Sequence, residues 1–186
     1  YYIESFLAHH ATDIHGHVLE VADNTYTRQF GGTRVERSDV LHVSPDHPGA
    51  TLAVDLTNAE HLPSDTFDCI VFTQTLQFIY DVRAALRTLC RILKPGGVLL
   101  APCHGISQIA RWDMDHWGEY WRFTSLSAHR LFTEVFPAAG VTVQAHGNVL
   151  AALAFLHGLV AEELRQEELD YFDPDYEVLI TIRAVK

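Results

Sequence analysis

Basic residues are scarce in this sequence. Its 186 residues include 13 Lys and Arg against 24 Asp and Glu, which gives a formal net charge of −11 at neutral pH. A surface of this sign repels phosphate groups. We therefore expect neither a nucleic-acid partner nor binding to an anionic membrane surface.

Cysteines and long apolar runs are scarce as well. Cys69, Cys90 and Cys103 are widely spaced and form no CxxC pair. This spacing argues against a structural zinc site and predicts reduced thiols in a cytoplasmic protein. The longest apolar run, Val149–Ala161, is interrupted by His157 and is shorter than the roughly 20 residues that span a bilayer. We predict no membrane segment, and we interpret this run as a helix that is buried or covered by a partner, with a homodimer left open.

The twelve histidines form no recognisable metal motif. His9 and His10, like His15 and His17, are close in sequence but lack Cys or carboxylate neighbours at the spacing of metal ligands, and HExxH is absent. We predict no metal site.

Nothing along the chain marks a domain boundary. The sequence has no internal repeat, no low-complexity stretch and no Ser/Gly linker. Its length is typical of one domain, so we predict a single domain over residues 1–186. Because the chain opens at Tyr1 without Met, we expect the natural protein to continue upstream.

Apolar runs and helical patterns alternate along the chain. Asp81 has the character of a helix cap, and the spacing of Val82, Leu86, Leu89 and Leu93 predicts one apolar helix face. Predicted strands lie at 17–21, 34–41, 51–54, 67–72, 98–101, 141–145 and 177–185, and further predicted helices lie at 126–136 and from 149 onward. This alternation predicts an α/β fold with a mainly parallel sheet, whose ligands bind beyond the carboxyl ends of the strands.

The turns at those strand ends form a familiar order. They are VLEVADN (18–24), DVLHV (39–43), VDL (54–56), HLPSDTFDCIVFTQTLQFIYD (61–81) and LRTLCRILKPGGVLL (86–100), followed by WGEYWRFTSLSAHRLF (117–132). This order resembles the class I S-adenosylmethionine-dependent methyltransferases, specifically the type 11 methyltransferase-like family. The resemblance implies a Rossmann-like, seven-stranded, mostly parallel sheet with an antiparallel last strand and helices on both faces.

The resemblance also implies a cofactor site for S-adenosylmethionine. Glu20 and Ala22 would neighbour the methionine part of the cofactor, and Asp39 would accept hydrogen bonds from the ribose. The remaining implied contacts are Asp55 and Leu56 at the adenine, and Thr73 and Gln74 along the methionine arm. Carboxylates and backbone groups suit a sulfonium cation that carries a zwitterionic tail and a diol.

One departure from the family concerns the loop after the first strand. Three positions that hold glycine in the family hold Ala22, Asn24 and Tyr26 here. A dinucleotide site needs bare backbone against pyrophosphate, so the missing GxGxxG argues against a nicotinamide-dependent oxidoreductase. The lost glycines also support an alternative, a catalytically degenerate module that serves as a partner-binding domain.

The acceptor side is expected in the segment after the fifth strand. His104 is the candidate general base, because it follows that strand directly. The candidate substrate residues are Trp112, Asp113, Trp117, Tyr120, Trp121 and Arg122. Their rings could form a substrate wall or ordinary core, and the sequence leaves both open. The leading hypothesis is methyl transfer to a hydroxyl, or an amine, of a small molecule or glycan.

Overall fold

A computed structural model describes residues 1–186, and its centre is one sheet. The strands are β1 (Gly16–Val21), β2 (Val35–His42), β3 (Leu52–Ala53), β4 (Phe67–Val71), β5 (Leu93–Leu100), β6 (Cys103–His104), β7 (Val141–His146) and β8 (Leu179–Val185). Their order across the sheet is β3-β2-β1-β4-β5-β8, with β6 and β7 also paired to β8. The first five strands pair in parallel, and β8 is antiparallel to its neighbours.

The sheet has eight strands rather than the predicted seven, because the fifth strand is interrupted. β5 pairs with residues 183–185 of β8, and β6 pairs with residues 179 and 180 farther along it. β7 pairs with residues 179–184 of the same strand, so β6 shares an edge of β8 with β5. The predicted mostly parallel sheet with an antiparallel last strand is confirmed.

The central strands are buried on both faces, which requires cover on both sides of the sheet. The α-helices are α1 (Tyr2–His9), α2 (Val82–Ile92), α3 (Arg111–Trp117), α4 (Ser125–Thr133), α5 (Val149–Leu156) and α6 (Gln166–Asp170). A large apolar cluster joins the sheet to α2 and α4 through Leu86, Leu89 and Phe132. A smaller cluster packs Phe6 and Leu7 of α1 against other sheet residues.

The helix after β4 begins where the sequence predicts, but it ends at Ile92, so Leu93, which was predicted on its apolar face, belongs to β5. The Asp81 carboxylate accepts a hydrogen bond from the Ala84 N–H at 3.0 Å, which caps α2. Gly96 has a φ of +79°, a conformation that glycine adopts without strain just beyond the helix. The strand itself already starts at Leu93, ahead of this turn.

Of the two alternatives for the apolar run that starts at Val149, a helix buried within this chain is wrong for its larger side chains. α5 ends at Leu156, and the chain then turns through Gly158 at a φ of +76°. Ala151, Ala152 and Ala154 face the protein and are buried. The larger apolar side chains of this segment are exposed, namely Val149, Leu150, Leu153, Phe155, Leu156, Leu159 and Val160. No helix in the structure combines the length and apolar character needed to cross a membrane.

Candidate functional site

A large cleft lies at the carboxyl ends of β1 to β4. It has a volume of about 1020 Å³, and residues that follow each of these four strands line it. Helix α3 and the segment from Phe78 to Asp81 also line it. Ligands of mainly parallel sheets bind in this position, because the loops that follow the strands diverge there and leave a crevice.

The end of β1 is organised by Glu20. Its side chain is buried, and its two carboxylate oxygens accept hydrogen bonds from the backbone N–H groups of Tyr26, at 3.2 Å, and Thr27, at 2.7 Å. Burial raises the pKa of Glu20, although these hydrogen bonds oppose the shift. The carboxylate thus ties the loop after β1 to the start of the next helical turn, while Glu20 also lines the cleft.

The three positions that depart from glycine have different conformations. Ala22 has a φ of +69°, whereas Tyr26 is helical with a φ of −68° and Asn24 does not have a positive φ. Only the first position therefore needs the left-handed backbone that glycine provides. The Tyr26 ring packs against the smaller apolar cluster, which explains how a large side chain is accommodated there.

The structure does not bring Asp39 to the cleft. β2 continues to His42, so Asp39 lies three residues before the strand end, where it pairs in register with Leu19. Its carboxylate contacts His17 Nε2 at 2.6 Å and Thr51 Oγ1 at 2.8 Å. The β2 residues that line the cleft are Leu41 and His42, at the strand end.

His42 was missed by sequence reasoning because an acid was expected at the end of β2. Its ring stacks on His47 with a centroid distance of 4.2 Å, and the ring of Trp117 meets it edge-on at 5.4 Å. The signal that could have found it is its position directly after the apolar pair Val40 and Leu41, where a buried strand ends.

The predicted residues after β3 and β4 do reach the cleft. Asp55, Leu56, Thr73 and Gln74 all line it. Asp55 is exposed, and one of its carboxylate oxygens accepts hydrogen bonds from the backbone N–H and the hydroxyl of Thr57, both at 2.8 Å. Gln74 has a φ of +48°, a conformation that is strained for a residue with a side chain.

Only some of the predicted substrate residues between Trp112 and Arg122 lie at the cleft. Asp113, Trp117 and Tyr120 line the cleft, whereas Trp112 and Trp121 do not. Trp121 stacks on Tyr80 and donates its indole N–H to the carbonyl of Ile79, and Trp112 stacks on His116. Arg122 also lies outside the cleft and contacts Glu119 at 3.0 Å. Part of the segment therefore forms a wall of the cleft, and none of its four large rings is buried core.

The lining of the cleft is strongly acidic. It contains six carboxylates and neither Lys nor Arg, and the carboxylates are Glu4, Glu20, Asp23, Asp55, Asp81 and Asp113. A lining of this kind favours a cation and repels a polyphosphate. The positively charged side chains found at phosphate sites are missing here.

His104 lies outside this cleft and lines a second cavity of about 430 Å³. Its Nε2 is buried and lies 3.7 Å from the Oε1 of Glu119, a residue that the sequence did not single out. The Glu119 side chain is only 1% exposed and is contacted by Arg122. Burial and the charge of Arg122 lower the pKa of His104, while Glu119 acts in the opposite direction. His104 is therefore neutral near pH 7.

Comparison with known proteins gives the class of this molecule. A family model described as a methyltransferase domain matches residues 4–101, more than half of the chain. The chain therefore belongs to the methyltransferase-domain family. The predicted family and fold class are confirmed, and S-adenosylmethionine is the cofactor that this assignment indicates.

Individual relatives resemble the chain in different ways. The ubiquinone/menaquinone biosynthesis C-methyltransferase of Haemophilus ducreyi is 51% identical over 45 residues, which are 23% of this chain and 17% of that protein. A SAM-dependent methyltransferase from Archaeoglobus fulgidus superposes with a TM-score of 0.65 at 10% identity, over 100% of this chain and 93% of its own. A structure of the Haloferax volcanii complex between the Trm112 methyltransferase activator and a methyltransferase gives a TM-score of 0.61 at 15% identity, covering 97% and 88%. The structural likenesses establish the fold.

Proposed function

We propose that this protein is an active S-adenosylmethionine-dependent methyltransferase that methylates a hydroxyl group of a small molecule. The observation that carries this proposal is the acidic cleft, with its six carboxylates and no basic side chain, at the carboxyl ends of β1 to β4. The residues 1–186 act as one domain in this proposal.

The cleft fits the cofactor by its charge and its backbone. A sulfonium and an ammonium group both carry positive charge, and the carboxylates around the loop after β1 attract both. Ala22 adopts the left-handed conformation that the resemblance associates with glycine, so the loop keeps its course despite the added methyl group. Glu20 holds this loop in place and acts as its positioning residue.

The adenosine contacts belong to the ends of β2 and β3. The Asp55 carboxylate is exposed in the cleft beside Leu56, and these residues hold the adenine. His42 replaces Asp39 at the ribose, because His42 lies at the strand end that borders the cleft. Trp117 meets His42 edge-on and covers this part of the cleft.

When bound, S-adenosylmethionine supplies a methyl group on a positively charged sulfur; its transfer breaks the C–S bond, forms a C–O bond, leaves the electron pair on sulfur and releases the hydroxyl proton. His104 is the base that accepts this proton. The Nε2 atom of the ring lies 3.7 Å from the Glu119 carboxylate and has no hydrogen-bond partner of its own. The lowered pKa keeps the ring neutral and able to accept a proton near pH 7.

Titration calorimetry with S-adenosylhomocysteine tests the cofactor site. We expect saturable binding and no heat with NAD. Asp55→Ala should weaken this binding by about 1–3 kcal/mol, the range for a lost charge-assisted hydrogen bond. Asp46→Ala is the matched control, because Asp46 is exposed and does not line the cleft. Absence of binding to the parent protein would reject the enzyme in favour of the second candidate.

The second candidate is a degenerate module that binds a protein partner. The similar structure from Haloferax volcanii is a complex that includes an activator protein. The present chain exposes a run of apolar side chains along α5. The calorimetric result separates the two candidates, since a degenerate module does not bind S-adenosylhomocysteine. The acidic cleft favours the enzyme.

A further inference from the structure

The second cavity is built almost entirely from apolar side chains. Twelve of its fourteen lining residues are hydrophobic, and its volume of about 430 Å³ lies within the range of small-molecule sites. Its walls come from the start of α1, from α5, and from the segments on either side of α6. The apolar lining residues are Tyr1, Tyr2, Ile3, Ala151, Ala154, Phe155, Leu159, Ala161, Leu164, Leu169, Val178 and Leu179.

The two polar lining residues are Gln74 and His104. Gln74 also lines the acidic cleft, so one side chain borders both spaces. Gln74 is held in its strained conformation by hydrogen bonds at its own backbone, since its N–H donates to the carbonyl of Pro102 at 2.8 Å. The cavity therefore adjoins the cleft at the position where a polar group and the candidate base are found.

We propose that this cavity binds the apolar body of the methyl acceptor, and that the acceptor is a neutral alcohol with a hydrocarbon chain or ring system. This inference rests on the proposed function. The lining has no Lys, Arg, Asp or Glu, so a charged body would lose its hydration without gaining a partner. A glycan fits poorly for the same reason, because most of its hydroxyl groups would be left without hydrogen bonds.

The surroundings of the cavity on the α5 side are also apolar. Phe155 and Leu159 line it and are 41% and 47% exposed, so the apolar surface continues from the interior to solvent. Leu153, Leu156 and Val160 extend this exposed surface beyond the lining. On the α5 side, the apolar surface therefore extends from the cavity to solvent.

Binding of N-phenyl-1-naphthylamine, a neutral apolar dye whose fluorescence rises in apolar sites, tests this inference. We expect saturable binding to the protein with S-adenosylhomocysteine present, displacement by 1-decanol, and no displacement by methyl glucoside. Leu164→Gln places an amide in the lining and should raise the dissociation constant of the dye about tenfold. Leu153→Gln is the matched control, because Leu153 is on the exposed apolar surface but does not line the cavity.

Three results would overturn the inference. They are an absence of saturable binding, displacement by methyl glucoside as effectively as by 1-decanol, and equal losses in Leu164→Gln and Leu153→Gln, which would place the dye on the surface of α5. If Leu164→Gln does not fold, Phe155→Gln serves in its place, since Phe155 lines the cavity and is already partly exposed.

Calorimetry with S-adenosylhomocysteine separates this inference from the proposed function. Cofactor binding without specific dye binding rejects the apolar acceptor and leaves the methyltransferase. Specific dye binding without cofactor binding rejects the methyltransferase, and with it the role of the cavity as an acceptor site.

Discussion

The Nε2 atom of His17 in β1 lies 2.6 Å from the Oδ2 atom of Asp39 in the neighbouring strand β2. Burial raises the pKa of this carboxyl, but the hydrogen bonds from His17 and Thr51, together with the charge of Arg37, outweigh burial and lower it. Both side chains are largely buried, so each depends on the other to offset lost hydration. This pair belongs to the stability of the sheet rather than to the cleft.

Asp39→Ala should therefore lower the free energy of unfolding and leave the cofactor site intact. We expect a loss of about 2 kcal/mol above pH 5, because the substitution leaves buried hydrogen-bonding groups without a partner. The affinity for S-adenosylhomocysteine should be unchanged. Urea denaturation and calorimetry measure the two quantities, with Asp46→Ala as the exposed control. If the variant folds but binds S-adenosylhomocysteine weakly, the prediction is wrong and Asp39 does contact the ribose of the cofactor.

Ala22→Gly should stabilise the protein. A side chain in the left-handed region carries a steric cost that glycine avoids, and the φ of +69° at Ala22 lies in that region. We expect a gain of about 1 kcal/mol in the free energy of unfolding. Ala53→Gly in β3 is the control and should destabilise the fold, since a strand residue gains nothing from glycine. A loss of stability in Ala22→Gly would contradict the strain at this position.

His104 should make stability depend on pH. Burial lowers its pKa below the ordinary value of 6.5, so the unfolded chain binds more protons than the folded protein between the two values. The free energy of unfolding should then fall as pH drops below 6.5, by up to about 1.4 kcal/mol per pH unit for this one group. His104→Gln should show a shallower fall in urea denaturation from pH 7.5 to about pH 5. His129→Gln, on the exposed surface of α4, should follow the parent, and equal slopes in all three proteins would contradict the assignment.

Trp117 and Trp112 should behave differently although they share α3. Trp117 lines the cleft and meets His42, whereas Trp112 is 63% exposed and lies outside it. Trp117→Ala should weaken binding of S-adenosylhomocysteine by about 1 kcal/mol, as expected for a lost aromatic contact. Trp112→Ala should leave that affinity unchanged. Calorimetry measures the affinity of both variants for S-adenosylhomocysteine. Equal effects of the two substitutions would show that Trp117 does not contact the adenosine part of the ligand.

Trp121→Ala tests whether the part of the aromatic segment outside the cleft is buried core. Its ring is partly exposed, stacked on Tyr80 and bonded to the carbonyl of Ile79, so its removal should lower stability less than the loss of a core tryptophan. We expect a folded protein with a small change in melting temperature and unchanged affinity for S-adenosylhomocysteine. Global unfolding would show that the segment is core after all.

The sequence by itself determined the mainly parallel sheet and several of the residues that line the cleft. The apolar runs of β1, β4 and β5 are long enough to specify buried parallel strands, and Asp81 marks the start of α2 by local chemistry alone. Asp55, Leu56, Thr73 and Gln74 reach the cleft because each follows such a strand directly, and the carboxyl ends of parallel strands meet at one edge.

Tertiary structure decided where β2 ends and what borders the acceptor. The register of β2 against β1 and the bond from His17 keep Asp39 within the sheet, and no local pattern encodes a pairing between residues 22 positions apart. The cavity at His104 is assembled from α1, α5 and the segments around α6, which are distant in sequence. Because only tertiary packing brings these distant segments together, the sequence named His104 but predicted neither Glu119 beside it nor the apolar cavity that it lines.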